Sequence, residues 1–442
     1  MTANKLHRIS VLLLLAACVA LQGCSSDKKK PLPGDRTPVM QFEGSTQADK
    51  EAQNTAVTLA PEKANTAWPQ NGGNAAHLPQ NLALNNGPLK KIWSVDIGTG
   101  SEKDRKLIST PVAAEDHVFA ADTRGHVTAY AVADGKKIWT ITLLKHDGAA
   151  TVSAGLAYNN GTLYVTDGVR RISAISAADG HQLWTQSMDQ PLRGAPTIQS
   201  GRVYFITLSD ETYALDASNG ETIWHHQGVQ ENADLLGAPS PAVEGSVVMT
   251  AYSSGDVVAL RSETGQEAWT DNLTGASEFQ SRTVTQLAGF RGSPVLEQDV
   301  AYVGNSSTRF VAEHVPSGDR IWQKEFGVMS MPWVSGNMVF AITSQNELAA
   351  LIKENGQAKW VIQLPRYNDP NDKNDPAFWS GPVLAGGRLF VTGSNNDMME
   401  IDPATGKTIR TTKLSDPVMI APIVVQQTLI VVTDSGDMIA YK

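Results

Sequence analysis

The chain has 442 residues, with 36 basic against 45 acidic side chains and a formal net charge of -9. So acidic a balance argues against nucleic acid as a partner, and the two cysteines, both in the first 24 residues, leave the rest of the chain without a disulfide. The length exceeds that of most single domains, unless the fold is made of repeats that each add their own core.

Met1 to Arg8 carries Lys5 and Arg8 and no acid, and the run from Ile9 to Leu21 is apolar except for Ser10. This pattern predicts a secretory signal over residues 1–23, too short to be a stable membrane span. Leu21-Gln22-Gly23-Cys24 resembles a bacterial lipobox, which predicts acylation of Cys24 as the first residue of the mature protein. Leu15-Ala16-Ala17-Cys18 is the alternative, but cleavage there would leave a short apolar core and an apolar tail after the lipid. Ser25 and Ser26 follow Cys24 with no Asp directly after it, which resembles lipoproteins sent to the outer membrane. Residues 24–86 are rich in Lys, Pro, Gln, Asn and Ala without apolar periodicity, and are expected to be mostly a flexible tether. The stretch from Trp68 to Asn74 is the expected exception, a lead-in packed on the folded domain.

From residue 87 to 442 one phrase recurs, most cleanly as Ala214-Leu215-Asp216-Ala217-Ser218-Asn219-Gly220-Glu221-Thr222-Ile223-Trp224. A glycine after Asp, Asn, Ser or Thr marks a tight turn with positive φ, so the phrase reads as strand, turn, strand. Trp93, Trp139, Trp184, Trp224, Trp269, Trp322 and Trp360 hold the corresponding position, and Arg410 takes it in a degenerate copy. The alanine ahead of each turn suggests a recess for a neighbouring indole, so that repeats stack. A run such as Arg202 to Ile206 and a proline-apolar step such as Pro196-Thr197-Ile198 precede each phrase, giving four short strands per unit. Units of this kind at intervals of about 40–50 residues predict a β-propeller. The last unit, Pro422 to Tyr441, has three strands, and Lys91 to Val95 can supply the fourth. The expected fold is therefore all-β, an eight-bladed propeller closed by its N-terminal strand, which leaves no blade incomplete.

Catalytic patterns are missing from the sequence. The nine histidines show no metal-binding spacing, and His225-His226 would point to opposite faces of a strand. No serine sits in a nucleophile elbow. Gly406-Lys407-Thr408 lacks the first glycine of a phosphate loop and lies in a repeat turn. Asp134, Asp179, Asp216 and Asp402 recur at turns, where turn geometry accounts for them. No cofactor, metal or catalytic residue is assigned.

The Ala…Gly-x-x-x-Trp phrase resembles the pyrroloquinoline-quinone type of propeller repeat. Together with the signal, the tether and eight such units, it makes the chain similar to the BamB family, lipoprotein subunits of the outer-membrane β-barrel assembly (BAM) machinery. The resemblance implies a non-enzymatic scaffold on the periplasmic face of the outer membrane that binds the POTRA domains of BamA and other BAM subunits and helps deliver unfolded barrel proteins. It places partner contacts at Leu235 and Leu236, where the family's Leu-Arg-Gly stretch has a basic residue, and at Phe290 and Arg291, where the family has acids. Leu235, Leu236 and Phe290 are expected to be exposed apolar anchors, with Arg291 as a polar contact. A scaffold for another envelope complex stays open. So does a quinone-dependent dehydrogenase, although such enzymes resemble longer chains with an adjacent-cysteine disulfide that this mature chain cannot form.

Overall fold

The computed structural model describes residues 46–143, 153–192, 194–231, 239–274, 289–371 and 373–442. These residues form eight four-stranded antiparallel sheets. Blades 1 to 7 are continuous in sequence, at 112–142, 155–187, 197–227, 242–272, 295–324, 333–363 and 379–413. Blade 8 takes three strands from 423–441 and its outermost strand from Lys91–Asp96, which pairs antiparallel with Asp437–Tyr441. The termini lock this seam reciprocally, Lys90 N–H donating to the Lys442 carbonyl and Lys442 N–H to that of Lys90, each at 2.9 Å. The eight-bladed ring and its closure are as the repeats predict.

Within each blade the strands run alternately up and down, so all connections from an outermost strand to the next innermost strand lie at one end of the ring. This is the loop end. The phrase glycines lie at the other, the hairpin end, together with the turns from first to second strand. At the aspartates singled out above, the carboxylate caps its own turn: Asp134 accepts from Lys136 N–H at 3.0 Å and Asp402 from Ala404 N–H at 2.9 Å.

The tryptophans stack the blades, but the seat differs from the expected one. Each phrase alanine pairs with the tryptophan of its own hairpin, as Ala214 does with Trp224. The indole instead lies on the phrase glycine of the next blade. A Cβ added at Gly220 would stand 2.6 Å from the Trp184 ring, and at Gly265 2.6 Å from the Trp224 ring. Every indole N–H then donates to a backbone carbonyl of the next blade, Trp184 to Ala217 at 3.0 Å and Trp224 to Ser262 at 3.0 Å. Trp93, Trp139, Trp269, Trp322 and Trp360 repeat both contacts. Glycine is required twice over, because Gly220 also has φ +79°. Gly220→Ala should therefore lower the unfolding free energy by about 2 kcal/mol, from left-handed strain plus displacement of the indole. Urea titration checks this, and a loss indistinguishable from zero would contradict the seat.

Arg410 now has a physical reason. A tryptophan there would need a glycine turn in blade 8, but the two outer strands of that blade come from opposite parts of the sequence and no hairpin joins them. Glu400, at the alanine position, pairs in register with Arg410 and is 1% exposed. It accepts from Arg410 at 2.9 Å on one oxygen and from buried Arg388 on the other. Arg388 also donates to the carbonyls of Asn85 and Gly87, so this ionic cluster holds the chain as it approaches the seam.

The expected tether over 24–86 needs correction. Residues 1–45, with Cys18 and Cys24, lie outside the described residues, but residues 46–86 pack on the ring as a strap. Ala52, Trp68, Leu82 and Leu84 are all buried. Residues 65–82 make one circuit of the ring axis in blade order. Asn65 O accepts from Gln426 N–H at blade 8, Trp68 exchanges two backbone bonds with Ala113 of blade 1, and Pro69 O accepts from Tyr158 N–H of blade 2. Gln70 Oε1 then accepts from Ile198 N–H of blade 3, Ala75 O from Val243 N–H of blade 4 and Ala76 O from Leu296 N–H of blade 5. Gln80 O accepts from the Trp333 indole of blade 6, and Leu82 N–H donates to Leu384 O of blade 7. Low hydrophobicity hid this segment, because backbone bonds and a few large side chains hold it in place of an apolar stripe.

Candidate functional site

Two places carry chemistry that the repeat does not explain: the axis, filled by the strap, and the loop end. In the axis, Trp68 stacks on Trp333 with ring centroids 6.4 Å apart and planes at 24°. Asn71 Nδ2 reaches the hydroxyls of Ser240 at 3.2 Å and Ser293 at 3.1 Å, at the start of the innermost strands of blades 4 and 5. His77 donates through Nδ1 to the Pro294 carbonyl at 2.7 Å, and burial pulls its pKa down to about 4, so the imidazole is neutral. These groups bind the strap to the ring.

The sequence-predicted partner residues divide. Leu235 and Leu236 lie outside the described residues. Phe290 is 3% exposed and packs among Met249, Leu273, Val303 and Val311, so it is a core residue and cannot be an exposed anchor. Its side chain packs between blades 4 and 5. Arg291 is exposed, and its guanidinium carbon lies 5.8 Å from the centre of the Phe378 ring. Phe378, in the long connection before blade 7, is 40% exposed. The two long connections thus meet across the loop end through one cation-π pair. Met419 before blade 8 is 37% exposed and Val229 before blade 4 is 63% exposed, both on connections of the same end. Ser380 Oγ donates to Met419 O at 2.7 Å, joining blades 7 and 8 there. Sequence reading missed Phe378 because a lone aromatic in a polar loop has no periodic signal.

The histidine pair separates as expected for adjacent strand residues: His225 stacks on Tyr213 of its own blade and His226 on Tyr252 of the next. Among the described residues no three His, Cys, Asp or Glu side chains come together in a way that could hold a metal.

A buried carboxyl lies between blades 4 and 5. Glu313 is fully buried against the Asp271 carboxylate, and no donor reaches either of its oxygens. Burial, and then the neighbouring Asp271 carboxylate, push its pKa up to about 9, while Arg320 is committed to Asp271 by bonds of 2.6 and 2.8 Å. Folded Glu313 keeps a proton that the unfolded chain releases above its ordinary pKa of 4.5. Stability therefore falls as pH rises from about 4.5 to 9, and below that window the penalty vanishes. Glu313→Gln should raise the unfolding free energy at pH 7 by about 2 kcal/mol and flatten this decline. Denaturant titrations at pH 5, 7 and 9 read both effects, and a parallel decline in parent and variant would rule the assignment out.

Known proteins bear on this geometry. The sequence profile of the outer membrane protein assembly factor BamB family matches residues 123–362 and 370–442. The chain is 25% identical over 361 residues to outer membrane protein assembly factor BamB of Yersinia pestis, covering 79% of this chain and 88% of that one. It is also 25% identical over 298 residues to an uncharacterized protein of Rickettsia prowazekii, covering 67% of this chain and 70% of that one. The crystal structure of BamB from Moraxella catarrhalis superposes with a TM-score of 0.67 at 16% identity, over 80% of this chain and 100% of that one. Quinohemoprotein alcohol dehydrogenase from Comamonas testosteroni reaches 0.64 at 15% identity, over 85% of this chain and 80% of that one, a likeness of fold alone. Because the profile spans most of the ring, the chain belongs to the outer membrane protein assembly factor BamB family.

Proposed function

We propose that this chain is a non-enzymatic scaffold of the outer-membrane protein assembly complex, acylated at Cys24 and held on the periplasmic face of the outer membrane. Its loop end binds the POTRA domains of BamA, brings in other BAM subunits, and assists the folding and insertion of unfolded barrel proteins. The observation that carries this reading is the exposed Arg291 and Phe378 pair on the two long connections, with exposed Met419 and Val229 on other connections of the same end. A stacked guanidinium keeps its fork of donors available for a partner carboxylate while the ring beside it offers apolar contact. Leu235 and Leu236, outside the described residues, stay in the proposal as the sequence reading has them, with Phe378 taking the anchoring part first given to Phe290.

Arg291→Glu combined with Phe378→Asp should reduce capture of BamA from detergent-solubilised membranes by about tenfold. Both residues are exposed, so the circular dichroism spectrum should not change. Undiminished capture by the double variant would remove the loop end as the BamA surface.

A further inference from the structure

At the hairpin end, blades 2 and 3 leave a groove of about 540 Å³, lined by Tyr164, Leu183, Trp184, Ser200, Arg202 and Ile223 with the Asp216 turn. Other gaps of the ring are bridged at this level. Tyr158 O–H donates to Glu115 between blades 2 and 1, Lys353 pairs with Glu297 at 2.9 Å between blades 6 and 5, and Gln426 donates to Asp116 at 2.5 Å between blades 8 and 1. Between blades 2 and 3 Tyr164 O–H and the Trp184 indole donate to the Ala217 carbonyl at 3.1 and 3.0 Å, while the short side chains of Ser200 and Thr162 add no side-chain bridge of the kind made at those other gaps.

The lining combines two kinds of surface. Leu183 is 51% and Ile223 42% exposed, each at the bulge residue just before a docked tryptophan. Between them stand one cation and one anion. Arg202 makes no ion pair among the described residues, and its Nε is buried without a partner. Asp216 is held by its own turn through Ser218 N–H at 2.8 Å. Charges of opposite sign on one groove leave little net field, so a charged ligand gains little from it. A peptide backbone suits it better, because its carbonyls can accept from Arg202 while its N–H groups donate to the carboxylate.

The molecule shows the occupied form of this arrangement elsewhere. At blade 6 the positions matching Thr222 and Ile223 are Ala358 and Lys359, and there the chain's own segment 49–55, folded into turns by Ala52 N–H to Asp49 O and Thr55 N–H to Ala52 O, lies on the outermost strand. Asp49 N–H donates to Ala358 O at 2.7 Å, Ala358 N–H donates to the Asp49 carboxylate at 2.7 Å, and Lys359 Nζ donates to the carbonyls of Gln53 and Thr55. Lys324 of blade 5 pairs with Asp49 at 3.7 Å, so the segment lies at the gap between blades 5 and 6. The start of an outermost strand thus accepts a peptide segment in this same fold, through one backbone bond and side-chain contacts to backbone groups.

We propose that the groove between blades 2 and 3 binds a polypeptide segment of low net charge, with aliphatic side chains seated against Leu183 and Ile223 and its backbone read by Arg202 and Asp216. The groove opens at the hairpin end, so it is separate from the loop-end surface and stands or falls independently of it.

The test uses the full chain and a fluorescein-labelled decapeptide of alternating Val and Thr, acetylated and amidated, read by fluorescence polarisation. Parent protein should give a saturable signal, and Leu183→Asp with Ile223→Asp should weaken it at least about tenfold. Ile92→Asp with Ile138→Asp, matched substitutions at the blade 8 and blade 1 edges, should bind as the parent does. All four positions are exposed, and circular dichroism verifies that each variant folds. A peptide in which every Thr is replaced by Glu should bind worse than the neutral one. Absence of saturable binding, or equal losses from both double variants, overturns the groove. BamA capture measured on the same variants separates this outcome from failure of the loop-end reading.

Discussion

Glu400→Ala will lower the unfolding free energy by about 3–5 kcal/mol, the range for removing one partner of a buried ion pair. The carboxylate is 1% exposed and has one oxygen for each of two guanidiniums. Arg410 is partly exposed and can turn toward water, but Arg388 is 7% exposed and would be left with only the Asn85 and Gly87 carbonyls for its charge. The damage would be local to the seam, because those two carbonyls guide the chain into the outermost strand of blade 8. Restoring the repeat with Arg410→Trp should not rescue Glu400→Ala, since blade 8 has no glycine turn to receive an indole. Urea titration at pH 7 measures both variants. A loss below about 1 kcal/mol for Glu400→Ala would mean that the two carbonyls satisfy Arg388 alone.

Trp68→Ala should lower stability by a similar amount, about 3–5 kcal/mol, because a buried indole is replaced by a void that the rigid ring cannot close around. Trp68 is 2% exposed, stacks on Trp333, and exchanges two backbone bonds with Ala113. Losing the indole removes the largest apolar anchor of the strap circuit, so residues 65–82 should also lose amide protection in hydrogen exchange before the blades do. Uniform exchange across strap and blades, together with a small stability change, would show that the backbone bonds alone hold the circuit.

How much of this was readable in the sequence depended on whether a residue belonged to the repeat. Seven tryptophans at matching positions, six of them with a glycine four residues ahead, gave the blade count and the composite closure, because stacked repeats impose the same packing each time. The same regularity misled in detail: alanine looked like the seat of the indole because it recurs with it, whereas it is the tryptophan's partner across the hairpin and the seat is the next blade's glycine. Arg410 was legible as a departure from the phrase, whereas its pairing with Glu400 and the part of Arg388 come from the structure. Phe290 sat in a long connection and read as exposed, yet nothing in its neighbours could reveal that it turns inward onto Met249 and Leu273. The strap was least legible. Its contacts are spread one by one over eight blades that lie far apart in sequence, so no local pattern announces them.

The strap's circuit also orders events in the life of the polypeptide. Residues 65–82 are synthesised before any strand they bond to, and the strand at Lys91–Asp96 is among the first made yet pairs with one of the last, Asp437–Tyr441. Contacts of such sequence separation are slow to form, since nearly the whole chain must be brought round before they close. Until residue 441 is present, the beginning of the chain has no completed seam to join and no finished axis to wrap, so early synthesis yields neither a closed ring nor a native N-terminal segment. A chain built this way keeps its ring unlocked while it is being made, so threading it through a narrow passage breaks neither the seam nor the strap circuit.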